Sequence, residues 1–177
     1  MVSPEGRLYL ETLTGYGLTQ GKINIQRFTI MEKVTVERLP NTKDVVGAKR
    51  WAEERGIFVQ ISYHEEIRHL ALFEIRKGFS RGGHYHAEKE EIFYIVSGKI
   101  KARLWDLDTQ EREDCVFEEG NRIRIQPRCG HLFNALKDTV VVEYSPQVYD
   151  PEDSYGIDFQ RGVAGSPEHQ SSGKSSR

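Results

Sequence analysis

Apolar residues recur in short runs through the middle of the chain, and most runs alternate with polar positions at period two, as strands with one buried face do. Residues 57–62, 68–75, 91–96, 99–105, 115–117, 121–125, 131–134 and 139–144 all read this way, with turn chemistry between them. Ser97-Gly98 sits between two alternating runs, which predicts a two-residue hairpin in which the glycine supplies a positive φ. A second turn is expected at Asp108-Thr109-Gln110. Upstream, residues 7–10 and 23–36 read as flanking strands interrupted by Gly15, Gly17 and Gly21. One segment changes period: Asn41-Thr42 offers an N-cap, Val45, Ala48, Trp51 and Ala52 share a helical face, and Gly56 supplies a stop. From Gln160 onward Gly, Ser, Gln, Lys and Arg displace the apolar residues, the composition of a disordered tail. The pattern predicts an all-β chain, a closed barrel or double-sheet jelly roll, with one short helix. Its parts are flanking strands over 1–40, the barrel with its preceding helix over 41–159, and the tail over 160–177.

With 177 residues the chain suits one domain. Lysine and arginine number 25 against 27 acidic side chains, a net charge of −2, so neither a nucleic-acid footprint nor a polybasic membrane surface is present, and no helix-turn-helix pattern accompanies the barrel. No apolar run approaches the roughly 18 residues of a membrane span. Two cysteines, Cys115 and Cys129, are too few to staple a chain of this size, and the opening residues lack the apolar core of a signal peptide, so a cytoplasmic location is expected. Barrel edges tend to be covered in twofold assemblies, which makes a homodimer the expected state.

The informative segment is Gly83-His84-Tyr85-His86, followed after four residues by Glu91 and seven positions later by Gly98; Gly120, Pro127, His131 and Asn134 come later. On a strand, His84 and His86 project to the same side. Glu91, opening the next strand, can present a carboxylate to the same interior, and His131 completes a set of three imidazoles and one carboxylate. Such a set suits a first-row divalent ion that keeps positions open to water or substrate. Glu90 is the competing carboxylate, and Glu91 fits the strand interval better. His64, His69 and His169 read as solvated histidines, Tyr85 as packing, and Cys129 as a buried, inert thiol.

These residues resemble the two cupin motifs: glycine, His-x-His, four residues, Glu, six residues, Gly, and then glycine, a proline-bearing turn, His and Asn. The second motif departs from the pattern at Arg128, which stands where a turn glycine is common. The resemblance implies the cupin double-stranded β-helix. A narrower resemblance, from about Glu53 to Phe159, is to cupins that act on nucleotide-linked keto sugars. Glu54-Arg55-Gly56 is similar to a turn of the deoxysugar 3,5-epimerases and 3,4-ketoisomerases, and Ser80-Arg81-Gly82-Gly83-His84-Tyr85-His86 to the entry of the ketoisomerases and of the metal-binding cupin domain in capsule-sugar enzymes. Tyr149-Asp150-Pro151-Glu152-Asp153-Ser154-Tyr155 resembles the end of ketoisomerase domains. The ketoisomerases usually lack the metal-binding glutamate, and in carrying Glu91 this chain is more like the capsule-enzyme domain.

The resemblance implies an isomerase or epimerase of a nucleotide-linked keto sugar, its small-molecule carbohydrate substrate losing a proton next to a carbonyl. A divalent ion (Zn, Mn, Fe or Ni) would be held by His84, His86, Glu91 and His131. His84 and His86 are the candidate proton-transfer groups, with Tyr94 and Arg81 as secondary candidates. Ligand histidines lose their free lone pairs, so with metal bound the base must be another group. Tyr63, Tyr144, Arg55, Arg122 and Arg124 are candidate wall or phosphate contacts. Two other readings fit the same donors: an Fe(II)-dependent oxygenase and a non-catalytic small-molecule-binding barrel.

Overall fold

The computed structural model describes residues 26–161 and 163–167, so the strand expected over 7–10 and the tail beyond 167 lie outside the described residues. Strands β1 (Gln26–Met31) and β2 (Val34–Arg38) form an antiparallel hairpin. Then β3 (Lys49–Glu53) and β4 (Gly56–Gln60) pair as a separate two-stranded sheet.

That small sheet replaces the helix expected over 41–56. Thr42 Oγ1 accepts the amide of Asp44 in a local turn, and Gly47 sits at φ 135°, a backbone that no helix continues through. Trp51 faces Phe58 in register and stacks on it with ring centroids 4.0 Å apart, a pair contributing about 0.5–1.5 kcal/mol beyond burial. The tryptophan that completed a helical stripe on paper serves instead as a cross-strand partner.

The barrel follows with β5 (His69–Ile75), β6 (Ser80–Tyr85), β7 (Glu91–Asp106), β8 (Arg112–Glu118), β9 (Asn121–Ile125) and β10 (Cys129–Ser145). After a 3-10 turn at Pro151–Asp153 come β11 (Tyr155–Asp158) and β12 (Val163–Pro167). The strands β7 and β10, 16 and 17 residues long, run antiparallel along their whole lengths and belong to both layers. The first half of β7 pairs with β9 and the second half of β10 with β5, giving one layer ordered β1-β2-β9-β7-β10-β5. The other halves build the second layer, β8-β7-β10-β6-β11-β12. This is the cupin double-stranded β-helix.

The continuity of β7 overturns the hairpin expected at Ser97-Gly98. Gly98 keeps its positive φ of 95°, but the strand passes through it. A Cβ there would lie 2.3 Å from the carbonyl oxygen of Asp138 and 2.6 Å from Thr139 Cα. Glycine is required because β10 crosses closely where β7 changes layer, and the register between the two strands slips at that point. The turn expected at 108–110 is present, with Asp106 Oδ1 accepting the amides of Asp108 and Thr109. Val163–Pro167, assigned by composition to the tail, pair with β11 as a strand.

Between the layers lies one apolar core, including Phe93, Ile95, Ile100 and Leu104 of β7, Phe117 of β8, Ile123 and Ile125 of β9, and Phe133 and Val141 of β10. Inward positions alternate along each strand, so residues preceding Phe93 and Phe133 by two also face the interior: Glu91 and His131. Among the described residues no helix is long and apolar enough to cross a membrane.

Candidate metal and proton-transfer site

At one end of the core the lining turns from apolar to ionisable. Gly82 and Gly83 take φ values of 87° and 86° in a bulge where β6 meets β10, so that His131 pairs with His84 while Leu132 pairs with Gly82. A Cβ on Gly82 would meet the His131 carbonyl oxygen at 2.7 Å, so the bare glycine is what lets the strands close here. The close approach sets the His84 ring 4.9 Å from that of His131 and 5.0 Å from that of His86. Glu91 opens β7 on the same side. One ligand-capable atom each from His84, His86 and Glu91 lies within 4.8 Å of the others, and His131 Nδ1 is 3.5 Å from Glu91 Oε2. Three of the predicted ligands therefore close as one group, and His131 adjoins it at Glu91 and His84. Glu90 faces elsewhere, bonded to Arg124 and to Gln126 Nε2.

The environment sets the charges. Burial pushes the His131 imidazole down to about 3 and lowers His84 as well, so both are neutral and carry lone pairs at pH 7. Burial opposes ionisation of Glu91, but the imidazoles of His131 and His86 and the Lys89 ammonium outweigh it and hold the carboxyl well below the usual range. Burial also depresses His86, yet the hydrogen bond and charge of Glu91, 3.1 Å from Nε2, raise it overall. His86 Nδ1 donates to the carbonyl oxygen of Asp153, which leaves Nε2 as the nitrogen directed at the cluster. His131 Nδ1 is buried without a hydrogen-bond partner. A partnerless imidazole nitrogen, neutral neighbours and an ionised carboxylate make a donor set that fits a divalent cation.

Four further residues complete the site, and sequence reasoning missed each. Lys89, only 4% exposed, donates to Glu91 Oε1 at 3.2 Å and to Glu143 Oε1 at 2.7 Å, and burial, which would lower its pKa, is outweighed by these two carboxylates. Glu143 also lies 3.4 Å from His69 Nε2. Asp153 takes the amides of Ala87, Glu88 and Lys89 on its carboxylate, tying the segment after β10 over the loop between β6 and β7. Nothing in the charged run Glu88-Lys89-Glu90-Glu91 marks that Lys89 turns inward beside Glu91. His69 did carry a signal: it begins the alternation His69, Ala71, Phe73, Ile75, whose last member is buried in the core, while Leu70 and Leu72 face out. Read as a solvated histidine, it lies instead on the interior wall.

The remaining candidates fall elsewhere. Tyr94 is buried, but three positions after Glu91 it faces the opposite side, packed with Leu39 and Ala48, and is not brought to the histidines. Arg81 is exposed; its guanidinium lies 5.1 Å over the Phe73 ring and donates to the Glu74 carbonyl. Tyr85 stacks on Tyr155. Arg122 and Arg124 are locked into an ion network with Glu37, Glu65 and Glu90, joined by the Tyr144 hydroxyl. Cys129 lies in the core, where burial pushes its thiol up to about 12. A groove of about 510 Å³ lined by Arg38, Arg50, Glu118, Glu119 and Lys137 shares no residue with the cluster, and its arginines are already paired with those glutamates.

The model of the polysaccharide biosynthesis C-terminal domain family matches residues 51–155. The UDP-2-acetamido-2,6-beta-L-arabino-hexul-4-ose reductase of Pseudomonas aeruginosa is 26% identical over 118 residues, 63% of this chain and 32% of its own, so the chain spans about a third of that relative's length. The dTDP-4-dehydrorhamnose 3,5-epimerase from Sulfolobus tokodaii superposes with a TM-score of 0.64 at 18% identity, covering 78% of this chain and 84% of that one. QdtA, a sugar 3,4-ketoisomerase from Thermoanaerobacterium thermosaccharolyticum in complex with TDP, gives 0.59 at 16%, covering 76% and 94%. Both share the fold described above.

Proposed function

The chain belongs to the polysaccharide biosynthesis C-terminal domain family, and we propose that it is a metal-binding isomerase or epimerase of a nucleotide-linked keto sugar. The observation that carries this reading is the grouping of His84, His86 and Glu91, with the buried His131 beside Glu91 and its Nδ1 left unpartnered. Likeness of fold to a 3,5-epimerase and a 3,4-ketoisomerase, and of sequence to an enzyme of a 4-keto amino sugar, supports the choice of substrate class.

In this reading the four residues hold a first-row divalent ion, which supplies Lewis-acid polarisation of the sugar ketone. Glu91 offers the anionic oxygen and the three imidazoles offer neutral nitrogens. The Asp153 carbonyl fixes the His86 ring so that Nε2 addresses the cluster. The apolar wall of Phe93 and Phe133, packed against His131, keeps bulk water from the donors. Arg81, exposed beside Phe73, suits an anionic diphosphate. Tyr94, packed with Leu39 and Ala48 away from the histidines, is left out of this reading.

Two measurements test the reading. Elemental analysis of the protein purified without a histidine tag should find about one divalent ion per chain, lost in the His84→Ala, His86→Ala double variant; equal content in both removes the ligand role. Incubation in heavy water with TDP-4-keto-6-deoxyglucose, dTDP-4-keto-L-rhamnose and UDP-2-acetamido-2,6-β-L-arabino-hexul-4-ose should place deuterium next to the ketone of at least one. No exchange in any of the three overturns the assignment.

A further inference from the structure

We infer that His69, held by Glu143, is a catalytic residue of this site: the base that takes the proton from the carbon next to the sugar ketone and returns it. The inference rests on the function proposed above and answers a question that function leaves open. With an ion on His84, His86 and His131, those imidazoles have no lone pair left for a proton, and an isomerase needs one elsewhere on the same cavity.

His69 meets the geometric requirements. It lies on the interior face of β5, in line with Phe73 and Ile75, and its side chain keeps 23% of its surface exposed, so it is open to a ligand. Nε2 is 3.4 Å from Glu143 Oε1, a histidine–carboxylate contact that can orient the imidazole. Among the described residues Nδ1 has no hydrogen-bond partner, which leaves it for the substrate. The groups that face His69 are Glu143 from β10, Tyr149 from the segment after β10, with its ring centroid 5.8 Å away, and Lys89, which joins Glu143 to Glu91 and lies 5.9 Å from the same tyrosine ring. His69 and the four-residue cluster are thus separate groups on one wall, joined through Glu143 and Lys89.

The step balances without any co-reactant. The C–H bond next to the ketone breaks, its electron pair forms the carbon–carbon double bond, and the carbonyl π pair moves onto oxygen. The proton rides on His69 until it is returned to the same carbon, or, once the adjacent hydroxyl has passed its own proton to the enediolate oxygen, to the former carbonyl carbon, or is exchanged with solvent.

The test is deuterium incorporation from heavy water into whichever of the three keto sugars named above the wild-type protein labels, repeated on His69→Asn and His69→Gln. Metal content, thermal midpoint and sugar binding are measured alongside. Loss of a general base is expected to slow exchange by at least about 100-fold, with metal content and sugar affinity within twofold of wild type. Exchange within threefold of wild type in either folded variant overturns the assignment of His69 while leaving the proposed function in place. A loss that tracks loss of metal or of folding in both variants also overturns it, because His69 would then be structural. No labelling by the wild-type protein overturns both.

Discussion

Lys89 is the residue whose removal most directly tests the electrostatics of the site. Among the described residues its ammonium is the one fixed cation bonded to both Glu91 and Glu143, and it is 4% exposed. Lys89→Met keeps the length and most of the volume of the side chain and deletes the charge, leaving two carboxylates on one wall with no counterion between them. Breaking a buried ion pair by removing one partner costs about 3–5 kcal/mol. Glu143 keeps 16% of its side-chain surface and recovers some solvation, which places the expected loss near the lower end, about 3 kcal/mol. For a chain of this size that is a fall of about 6–12 °C in thermal midpoint. The sign with pH follows from the ionisation of Glu91. Without the lysine its folded-state pKa rises toward the unfolded value, so the deficit is full at neutral and alkaline pH, where the carboxylate must be charged. Urea unfolding in the presence of chelator at pH 8 measures the effect. A loss below about 1 kcal/mol there would refute the role assigned to Lys89.

The buried His131 predicts acid sensitivity: its folded pKa of about 3 lies below the unfolded value of about 6.5, so the unfolded chain takes the proton first and stability falls as pH drops through that interval, by up to about 5 kcal/mol. His131→Leu should make the stability–pH slope between 6 and 4 shallower by up to about 1.4 kcal/mol per unit; an unchanged slope in urea titrations counts against it. Gly98→Ala places a Cβ 2.3 Å from the Asp138 carbonyl at a φ of 95° and should cost about 3 kcal/mol or more; a thermal midpoint within about 2 °C of wild type would show that the crossing of β7 and β10 tolerates a side chain.

Period-two alternation was enough to find most of the barrel, because each strand buries one face and shows the other to water. It could not tell that residues 91–96 and 99–105 are one strand, since a glycine that reverses the chain and a glycine that lets another backbone pass look alike in sequence, and only the position of Asp138 separates them. The same limit produced the false helix: Val45, Ala48, Trp51 and Ala52 satisfy a helical stripe, but the stack of Trp51 on Phe58 depends on a partner seven residues away. The grouping proposed to hold an ion was legible in part, because strand alternation places His84 with His86 and the interval to Gly98 favours Glu91 over Glu90. Lys89 and Asp153 were not, because both act from loops, where side-chain direction follows no period.

The charges at the site bear on the divalent ion proposed for it. Glu91 and Glu143 bring two negative charges and Lys89 one positive, while the Asp153 carboxylate is spent on three backbone amides. The balance is one negative charge, and Glu91 raises the affinity of the His86 imidazole for a proton. The Asp153 carbonyl leaves Nε2 of that ring directed at the cluster. A divalent ion drawn to Glu91 would compete with a proton for that nitrogen, while His84 and His131, lowered by burial, already carry lone pairs. The lysine keeps the second carboxylate from adding to the first, so the pocket offers a cation one net charge rather than two. Affinity would then come mainly from the nitrogens, and the ion would keep enough Lewis acidity to act on a ketone.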